Sequence, residues 1–145
     1  MRRGVDHIGV TVCFVVHDGA GNVLLQKRSQ QCRDEKGHWD IGGGALEFGE
    51  TIQDAVRREV YEELLVDVLA LEFLFSFEAL RDNNGIPTHW IAMSHAVKVD
   101  PAKVKIGEPR KIDKIGWFTT KNLPKPLHSQ MKKSLDRAKA EGIIK

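Results

Sequence analysis

Residues Gly44 to Val66 read GALEFGETIQDAVRREVYEELLV, a glycine-containing turn followed by a segment with helical periodicity. Apolar residues recur at every fourth position of this segment, which predicts an amphipathic helix that packs on a sheet: Ile52, Val56, Val60 and Leu64. Thr51 is the predicted N-cap, because its hydroxyl can accept a hydrogen bond from the first turn. Asp54, three residues later, completes a weak form of the capping box.

Three carboxylates lie together on this predicted helix. Glu59, Glu62 and Glu63 occupy positions i, i+3 and i+4, so they share one face and repel one another. A hard divalent cation reverses the sign of that interaction, and Mg²⁺ takes oxygen ligands that are usually completed by substrate phosphates. The spacing therefore predicts a Mg²⁺ site facing a phosphorylated substrate. The alternative is a solvated helix face whose charge is balanced by Arg57 and Arg58.

The same stretch resembles the Nudix box: Gly, five residues, Glu, seven residues, Arg-Glu, an aliphatic, any residue, Glu-Glu, any residue, Gly, an aliphatic. The positions that match in register are Gly44, Glu50, Arg58, Glu59, Val60, Glu62, Glu63 and Val66. Leu65 departs from the pattern, because it stands where the family has its second glycine, and this leaves the helix end open. Gly42 replaces the proline usual before the two glycines, so the Gly42–Gly44 loop is expected to be more flexible than in relatives.

The resemblance covers most of the chain, from about Val10 to Pro124, and it implies a fold. Strands separated by two distant helices already indicate a mixed sheet covered on both faces. The family fold agrees with this: an α/β (α+β) protein, an α/β/α sandwich with a mixed central sheet and a glycine loop–helix–loop catalytic box. We expect residues 1–145 to form a single domain of this type.

Several roles follow from the resemblance alone. It implies that Glu62 and Glu63 are the principal metal ligands, that Glu59 is either a further ligand or the general base, and that Glu50 is an outer ligand or orienter. Arg58 is part of the catalytic box and can orient Glu62 from four residues away. The remaining candidates are the metal-binding or substrate-binding backbone of Gly43 and Gly44, phosphate contacts from Lys27 or Arg28, and a late-loop metal ligand, Glu108, with Asp113 as the fallback.

The resemblance implies a Mg²⁺-dependent pyrophosphohydrolase, with Mn²⁺ as a possible substitute. The segments Glu108–Lys111 and Trp117–Pro124 are similar to the MutT-like branch, which converts a nucleoside triphosphate to a monophosphate and pyrophosphate. An ADP-ribose or nucleotide-sugar pyrophosphatase is the alternative, although Asp82 stands where that branch often has a proline. A nucleotide-sensing module without catalysis is a third reading, disfavoured because the box acids are retained. Base preference and the number of metals stay open.

Composition limits the class of protein. The chain has 145 residues with 22 Lys and Arg against 20 Asp and Glu, a net charge of +2 that does not indicate a nucleic-acid-binding surface. No apolar run approaches 18 residues and no leader pattern opens the chain, so we expect a cytoplasmic protein without a membrane segment. Two cysteines, Cys13 and Cys32, do not indicate a disulfide framework. A nucleotide substrate is the expected partner, and a homodimer is left open.

Periodicity and turn residues predict the other elements. The expected strands are His7–Val16, Val23–Arg28, a short extended piece at Trp39–Ile41, Asp67–Phe77, Trp90–Val99 and Ile112–Phe118. Residues Arg81–Pro87 are the expected hairpin loop. A second helix is expected over Ser129–Ala140, with Ser129 as its cap and Gly142 just past its end.

Overall fold

The computed structural model describes residues 1–145 and contains seven strands and two α-helices. The strands are β1 (Gly9–His17), β2 (Val23–Arg28), β3 (Trp39–Asp40), β4 (Gly42–Ala45), β5 (Ala70–Asn83), β6 (Ile86–Lys98) and β7 (Ile112–Phe118). The helices are α1 (Ile52–Leu64) and α2 (Lys132–Ala140), with a 3₁₀ turn at Pro101–Lys103. No helix combines the length and the apolar character needed to span a membrane.

All seven strands belong to one mixed sheet. Its main path runs β3-β2-β1-β6-β5, while β4 pairs with β1 and β7 pairs with β2. The β1–β6 pair is parallel, from Gly9 opposite Trp90 to His17 opposite Lys98, and the other pairs are antiparallel. Strand β4 lies against β1 with Gly42 opposite Phe14, which places the glycine turn directly beside the centre of the sheet.

The two helices cover opposite faces of this sheet, and each face has its own core. Helix α1 contributes Ala55, Val56, Val60 and Leu64 to one buried cluster, which also includes Val12 and Phe14 of β1. Helix α2 contributes Leu135 and Ala138 to the other cluster, with Val15, Val23 and Leu25 from the sheet. The alternation of β1 and β2 residues between the clusters follows the two-residue period of a strand. The expected α/β/α sandwich is confirmed.

Helix α1 begins and ends as a consequence of two specific residues. Thr51 is the N-cap and its hydroxyl accepts a hydrogen bond from the Asp54 backbone N–H at 3.1 Å, as expected. Leu65 is the C-cap, with φ of 52° and ψ of 38°, and its N–H donates to the Tyr61 carbonyl. A glycine adopts this left-handed conformation at little cost, whereas a leucine does not. The departure from the box therefore leaves the helix end in place, built with a strained residue.

A pair of variants measures this strain. Leu65→Ala and Leu65→Gly both remove the half-exposed leucine side chain, but only glycine relieves the positive φ. We expect the glycine variant to be more stable than the alanine variant by about 1 kcal/mol in urea unfolding. Equal stability of the two variants would show that Leu65 carries no backbone strain.

Three expected features differ in the structure. The hairpin loop shrinks from Arg81–Pro87 to a two-residue turn at Asn84 and Gly85, both with positive φ, so β5 and β6 are longer than expected. The Gly42–Gly44 loop is not free but forms strand β4. Helix α2 begins at Lys132 rather than beside Ser129, because the Ser129 N–H and hydroxyl donate to the Glu35 carboxylate instead of capping the helix.

Candidate functional site

Glu63 is a buried carboxylate at the end of α1. Its side chain faces β4 and β2, and the residue is only 4% exposed. Gln26 Nε2 donates to Glu63 Oε1 at 2.7 Å, and the Gly43 N–H donates to Glu63 Oε2 at 3.3 Å. Burial raises the pKa of Glu63 well above its ordinary value, and the nearby charges of Glu59 and Glu108 add to the rise. All its hydrogen-bond partners are neutral, so the ionised form has no counter-charge in contact.

Glu59 lies against the glycine strand one turn earlier. A Cβ on Gly44 would overlap the Glu59 carboxylate, so this position must lack a side chain for Glu59 to lie where it does. Burial raises the pKa of Glu59, while hydrogen bonding from Arg58 opposes the rise. The Gly44 carbonyl accepts a hydrogen bond from the Thr11 hydroxyl at 2.8 Å. The glycine strand thus approaches α1 closely enough to put backbone and carboxylates together.

Arg58 organises the acids on the other side of this face. Its Nε and Nη2 donate to the two oxygens of Glu50 at 3.0 and 2.6 Å, a bidentate arrangement. Its Nη1 contacts Glu59 at 2.8 Å and Glu62 at 3.3 Å, and its Nη2 also reaches the Ala45 carbonyl. Hydrogen bonding from Arg58 lowers the pKa of Glu50. The arginine therefore orients three acids, whereas the sequence indicated only Glu62.

Glu62 is the exposed member of the group, with 47% of its side chain accessible to solvent. The predicted sharing of one α1 face holds for Glu59, Glu62 and Glu63. Their solvent exposure differs, because Glu62 is exposed, Glu59 is partly buried and Glu63 is buried. The face is therefore no uniformly solvated stripe. It forms a gradient from solvent at Glu62 to the interior at Glu63.

The loop that carries Glu108 is attached to the end of α1. The Gly107 N–H donates to the Glu63 carbonyl at 2.8 Å, and the Lys105 N–H donates to the Leu64 carbonyl at 2.9 Å. Glu108 therefore follows directly on a residue that touches the Glu63 backbone, and its negative charge acts on the Glu63 carboxyl. Asp113 is exposed at the start of β7. The structure brings Glu108 to the group of acids.

Lys27 and Arg28 lie at a β-bulge at the end of β2, which interrupts the simple alternation of faces. Arg28 is held by Asp34 at 2.8 Å and by Asp40 at 3.6 Å. Lys27 makes no ion pair. Lys27 follows Gln26, whose side chain contacts Glu63, and lies opposite Trp39, which packs on the other core, so strand alternation places the Lys27 side chain on the sheet face opposite Glu63.

A second group of acids surrounds Arg28. Asp34, Glu35 and His128 bring their ligand atoms within 4.8 Å of one another. Arg81 pairs with both Asp34 and Glu35, and the His128 ring lies 2.8 Å from Glu35. Arginines already balance these acids, so the cluster is an ion-pair network that joins the β2–β3 loop to β5 and to the approach to α2. The spacing of the histidines gave no sign of it, because residues 35 and 128 are distant in sequence.

Asp40 lies at the edge of this network, and its ionisation should make the stability of the protein depend on pH. Burial raises the pKa of Asp40 to about 7, despite the opposing charge of Arg28, whereas an unfolded aspartate titrates near pH 4. Between these pH values Asp40 is protonated in the folded state and ionised in the unfolded state. The tighter binding of this proton stabilises the folded protein at low pH, and that stabilisation is lost as pH rises from about 4 to about 7.

Asp40→Asn mimics the protonated form and does not titrate. The free energy of unfolding of the variant minus that of wild type should be about 2–3 kcal/mol larger at pH 8 than at pH 5. Urea unfolding of both proteins at both pH values measures it. Asp113→Asn, at an exposed aspartate, is the control for the exchange of a carboxylate for an amide and is measured at the same two pH values. A constant difference for Asp40→Asn would contradict the raised pKa.

The donor set at α1 fits a hard divalent cation. Four carboxylates and glycine carbonyls are oxygen ligands of the kind that Mg²⁺ prefers. The buried Glu63 has only neutral partners, so a cation would supply the counter-charge that the protein does not. Neither cysteine belongs to this site: burial raises the pKa of Cys13 to about 11, and Cys32 contacts the Lys111 carbonyl on the far side of the late loop.

Comparison with known proteins adds an independent observation. The family profile described as NUDIX domain matches residues 7–138. An uncharacterised Nudix hydrolase of Yersinia pestis is 29% identical over 115 residues, which cover 76% of this chain and 58% of that protein. The nucleoside triphosphatase NudI of Escherichia coli is 40% identical over 62 residues, 42% of this chain and 43% of that protein. The chain spans about half the length of the curated relatives it matches.

Solved structures agree with the sequence relatives. The crystal structure of a MutT NUDIX hydrolase from Burkholderia pseudomallei has a TM-score of 0.80 and 27% identity, covering 90% of this chain and 98% of that one. The MutT protein of Methanosarcina mazei has a TM-score of 0.77 at 20% identity, covering 93% and 95%, a likeness of fold.

Proposed function

The chain belongs to the Nudix family, and from that premise we propose that it is a Mg²⁺-dependent pyrophosphohydrolase acting on a nucleotide. The substrate we propose is a nucleoside triphosphate or modified triphosphate, cleaved to a monophosphate and pyrophosphate. Residues 1–145 form the catalytic domain in this proposal, and Mn²⁺ can replace Mg²⁺.

One observation carries the proposal. Glu63 is a buried carboxylate with neutral partners, and it lies between two further acids, Glu59 and Glu62, and a glycine strand that approaches them closely. Burying an ionised carboxylate without a counter-charge is strongly unfavourable, so such groups are paired, bind metals or take up a proton. A purely structural helix face would expose these acids or pair each of them with a base.

The residues divide the work as follows. Glu62, Glu63, the Gly43 carbonyl and, in an outer position, Glu50 hold the metal, with Glu108 reaching in from the late loop. A bound Mg²⁺ neutralises charge on the diphosphate and lowers the pKa of a water molecule. Glu59 is either a further ligand or the general base, and burial moves its pKa towards the pH at which a base works well.

Arg58 fixes Glu50 and Glu59 in their positions through its hydrogen bonds. Lys27 or Arg28 is the proposed phosphate contact. Lys27 has no ion pair but lies on the sheet face opposite Glu63, whereas Arg28 is paired with Asp34 and Asp40. Gly44 allows the Glu59 carboxylate to approach the backbone, and the backbones of Gly43 and Gly44 are proposed substrate contacts. The role of each residue in this division is part of the proposal.

The choice of substrate is supported by two observations. A relative named nucleoside triphosphatase NudI is 40% identical over 62 residues. The segments Glu108–Lys111 and Trp117–Pro124 are similar to the MutT-like branch, and Lys105 and Gly107, just before the first of them, bond to the end of α1. ADP-ribose or a nucleotide sugar is the alternative substrate.

Product analysis tests the proposal. The protein is incubated with Mg²⁺ and a panel of nucleoside triphosphates, oxidised triphosphates, ADP-ribose and nucleotide sugars, and the products are separated by chromatography. We expect monophosphate and pyrophosphate from triphosphates. Cleavage of only ADP-ribose or sugars would overturn the substrate choice, and no cleavage with either Mg²⁺ or Mn²⁺ would favour a nucleotide-sensing module.

A further inference from the structure

We propose that Gln26 is a positioning residue that holds the Glu63 carboxylate in the geometry required to bind the divalent metal. Two N–H donors reach the Glu63 carboxylate, from the Gln26 side chain and the Gly43 backbone. The backbone contact is long, at 3.3 Å, whereas the Gln26 contact is 2.7 Å. Gln26 is therefore the stronger of the two constraints on this carboxylate. The inference rests on the proposed function, because it concerns a ligand of the proposed metal.

The orientation of the Gln26 amide follows from its surroundings. Nε2 donates both to Glu63 Oε1 and to the Ile41 carbonyl at 3.3 Å. If the amide were rotated by half a turn, its oxygen would face the Ile41 carbonyl oxygen, and that contact would no longer be a hydrogen bond. The amide therefore presents its donor to Glu63, and this donor favours the ionised carboxylate that binds a cation.

The other end of the amide shows that packing alone does not explain the residue. Gln26 Oε1 is buried and has no hydrogen-bond partner among the protein atoms. A buried unpaired acceptor costs about 1–3 kcal/mol, and an apolar side chain of similar length would avoid this cost. Val23, Leu24 and Leu25, the preceding residues of β2, are all apolar and buried. Gln26 is only partly buried, but its Oε1 atom is enclosed, so the amide leaves one acceptor unpaired while its donor contacts Glu63.

Partners of metal ligands affect affinity through geometry. A ligand held in one rotamer loses less conformational freedom on binding, and removing such a partner typically weakens metal affinity about 10–100-fold. Since Glu63 is anchored on α1 and Gln26 on β2, their contact also ties the helix to the sheet at the site. Gln26 does not touch the substrate in this proposal and acts through Glu63.

Gln26→Met tests the role, because methionine keeps the length of the side chain and removes the amide. We expect the dissociation constant for Mn²⁺, measured by titration calorimetry and by the EPR signal of free Mn²⁺, to rise about 10–100-fold. The Mg²⁺ concentration for half-maximal activity should rise by a similar factor, while kcat at saturating Mg²⁺ stays within about threefold. A merely structural role would not separate these two quantities.

Two further variants make the test specific. Gln53→Met, on the exposed side of the same helix as Glu63, is the matched control and should bind Mn²⁺ as wild type does. Gln26→Asn withdraws the amide by one methylene and should also weaken Mn²⁺ binding. It serves as the test variant if Gln26→Met does not fold. Thermal unfolding followed by circular dichroism, without metal, checks that each variant is folded.

The outcomes separate this inference from the proposed function. One outcome would overturn only the positioning role: wild type binds Mn²⁺, Glu63→Gln does not bind it, and both Gln26 variants bind it as tightly as wild type. Equal weakening in Gln26→Met and Gln53→Met would also overturn it. If Glu63→Gln binds Mn²⁺ with the same affinity as wild type, both the metal site and the positioning role are overturned.

Discussion

Glu63→Gln is expected to lower kcat/KM by about three orders of magnitude or more while the protein stays folded. The change removes the charge of one of the two proposed principal metal ligands and leaves the shape of the side chain. A metal contributes several kcal/mol of charge stabilisation in phosphoryl chemistry, and each 1.36 kcal/mol corresponds to a tenfold change in rate. Initial rates at saturating Mg²⁺ measure the loss.

Stability should move in the opposite direction. Burial raises the pKa of Glu63, so its folded-state contribution to the free energy of unfolding falls as pH rises above the ordinary glutamate value. At pH 7.5 without metal, the neutral glutamine avoids that loss. The variant should therefore unfold at a urea concentration equal to or above that of wild type, even after one hydrogen bond from Gln26 or Gly43 is disturbed.

An exposed glutamate on β5 provides the control for this prediction. Glu72→Gln removes the same charge far from the glycine strand and should leave kcat/KM within about twofold of wild type. Full activity in Glu63→Gln would remove Glu63 from the metal site. Loss of both activity and stability would mean that the carboxylate is needed for the fold rather than for the metal.

The sequence predicted those elements whose structure is determined by interactions within a few residues. Thr51, Asp54 and the apolar stripe of α1 were predicted because caps and helical periodicity act within a few residues. Periodicity failed at the β5–β6 ribbon, since Arg81 to Asn83 and Ile86 to Thr88 extend away from both cores and have no buried face to reveal. The Asn84-Gly85 pair was the available signal for a two-residue turn.

Tertiary contacts explain what the sequence could not provide at the site. The Arg58–Glu50 contact depends on how the turn before α1 folds back, and the Gln26–Glu63 contact joins residues 37 apart. Gln26 begins a polar run with Lys27 and Arg28 at the end of β2, so its residue type did not single it out. The spacing of Glu59, Glu62 and Glu63 showed a shared face without showing that only Glu63 is buried.

The three glycines before α1 make the same point. Glycine was interpreted as freedom of the backbone, whereas the structure uses the missing side chain at each position. A Cβ on Gly42 would overlap the Phe14 ring, one on Gly43 would lie 2.7 Å from the Val12 carbonyl oxygen, and one on Gly44 would overlap the Glu59 carboxylate. The consequences of substitution should therefore differ between neighbouring glycines.

Gly44→Ala is expected to lower kcat/KM about 10²–10³-fold with little loss of stability. The added methyl group meets the end of a flexible side chain, so the fold can accommodate it by moving the Glu59 carboxylate. That movement breaks the 2.8 Å contact with Arg58 and displaces Glu59 as ligand or general base. Displacements of about 1 Å in a catalytic group can cost about a hundredfold in rate, and loss of a general base about 10²–10⁴-fold.

Gly42→Ala is the comparison for stability, because its methyl group meets the buried Phe14 ring. The methyl group would also lie 2.9 Å from Glu63 Oε1, so the activity of this variant is expected to fall as well. Overpacking of this kind costs about 1–3 kcal/mol, so the midpoint of urea unfolding should fall clearly in Gly42→Ala and only slightly in Gly44→Ala. The unfolding midpoint distinguishes the two variants, and kcat/KM is measured on both. If Gly44→Ala keeps wild-type activity, the position of the Glu59 carboxylate beside the glycine strand does not matter for turnover, and the proposed role of Glu59 fails.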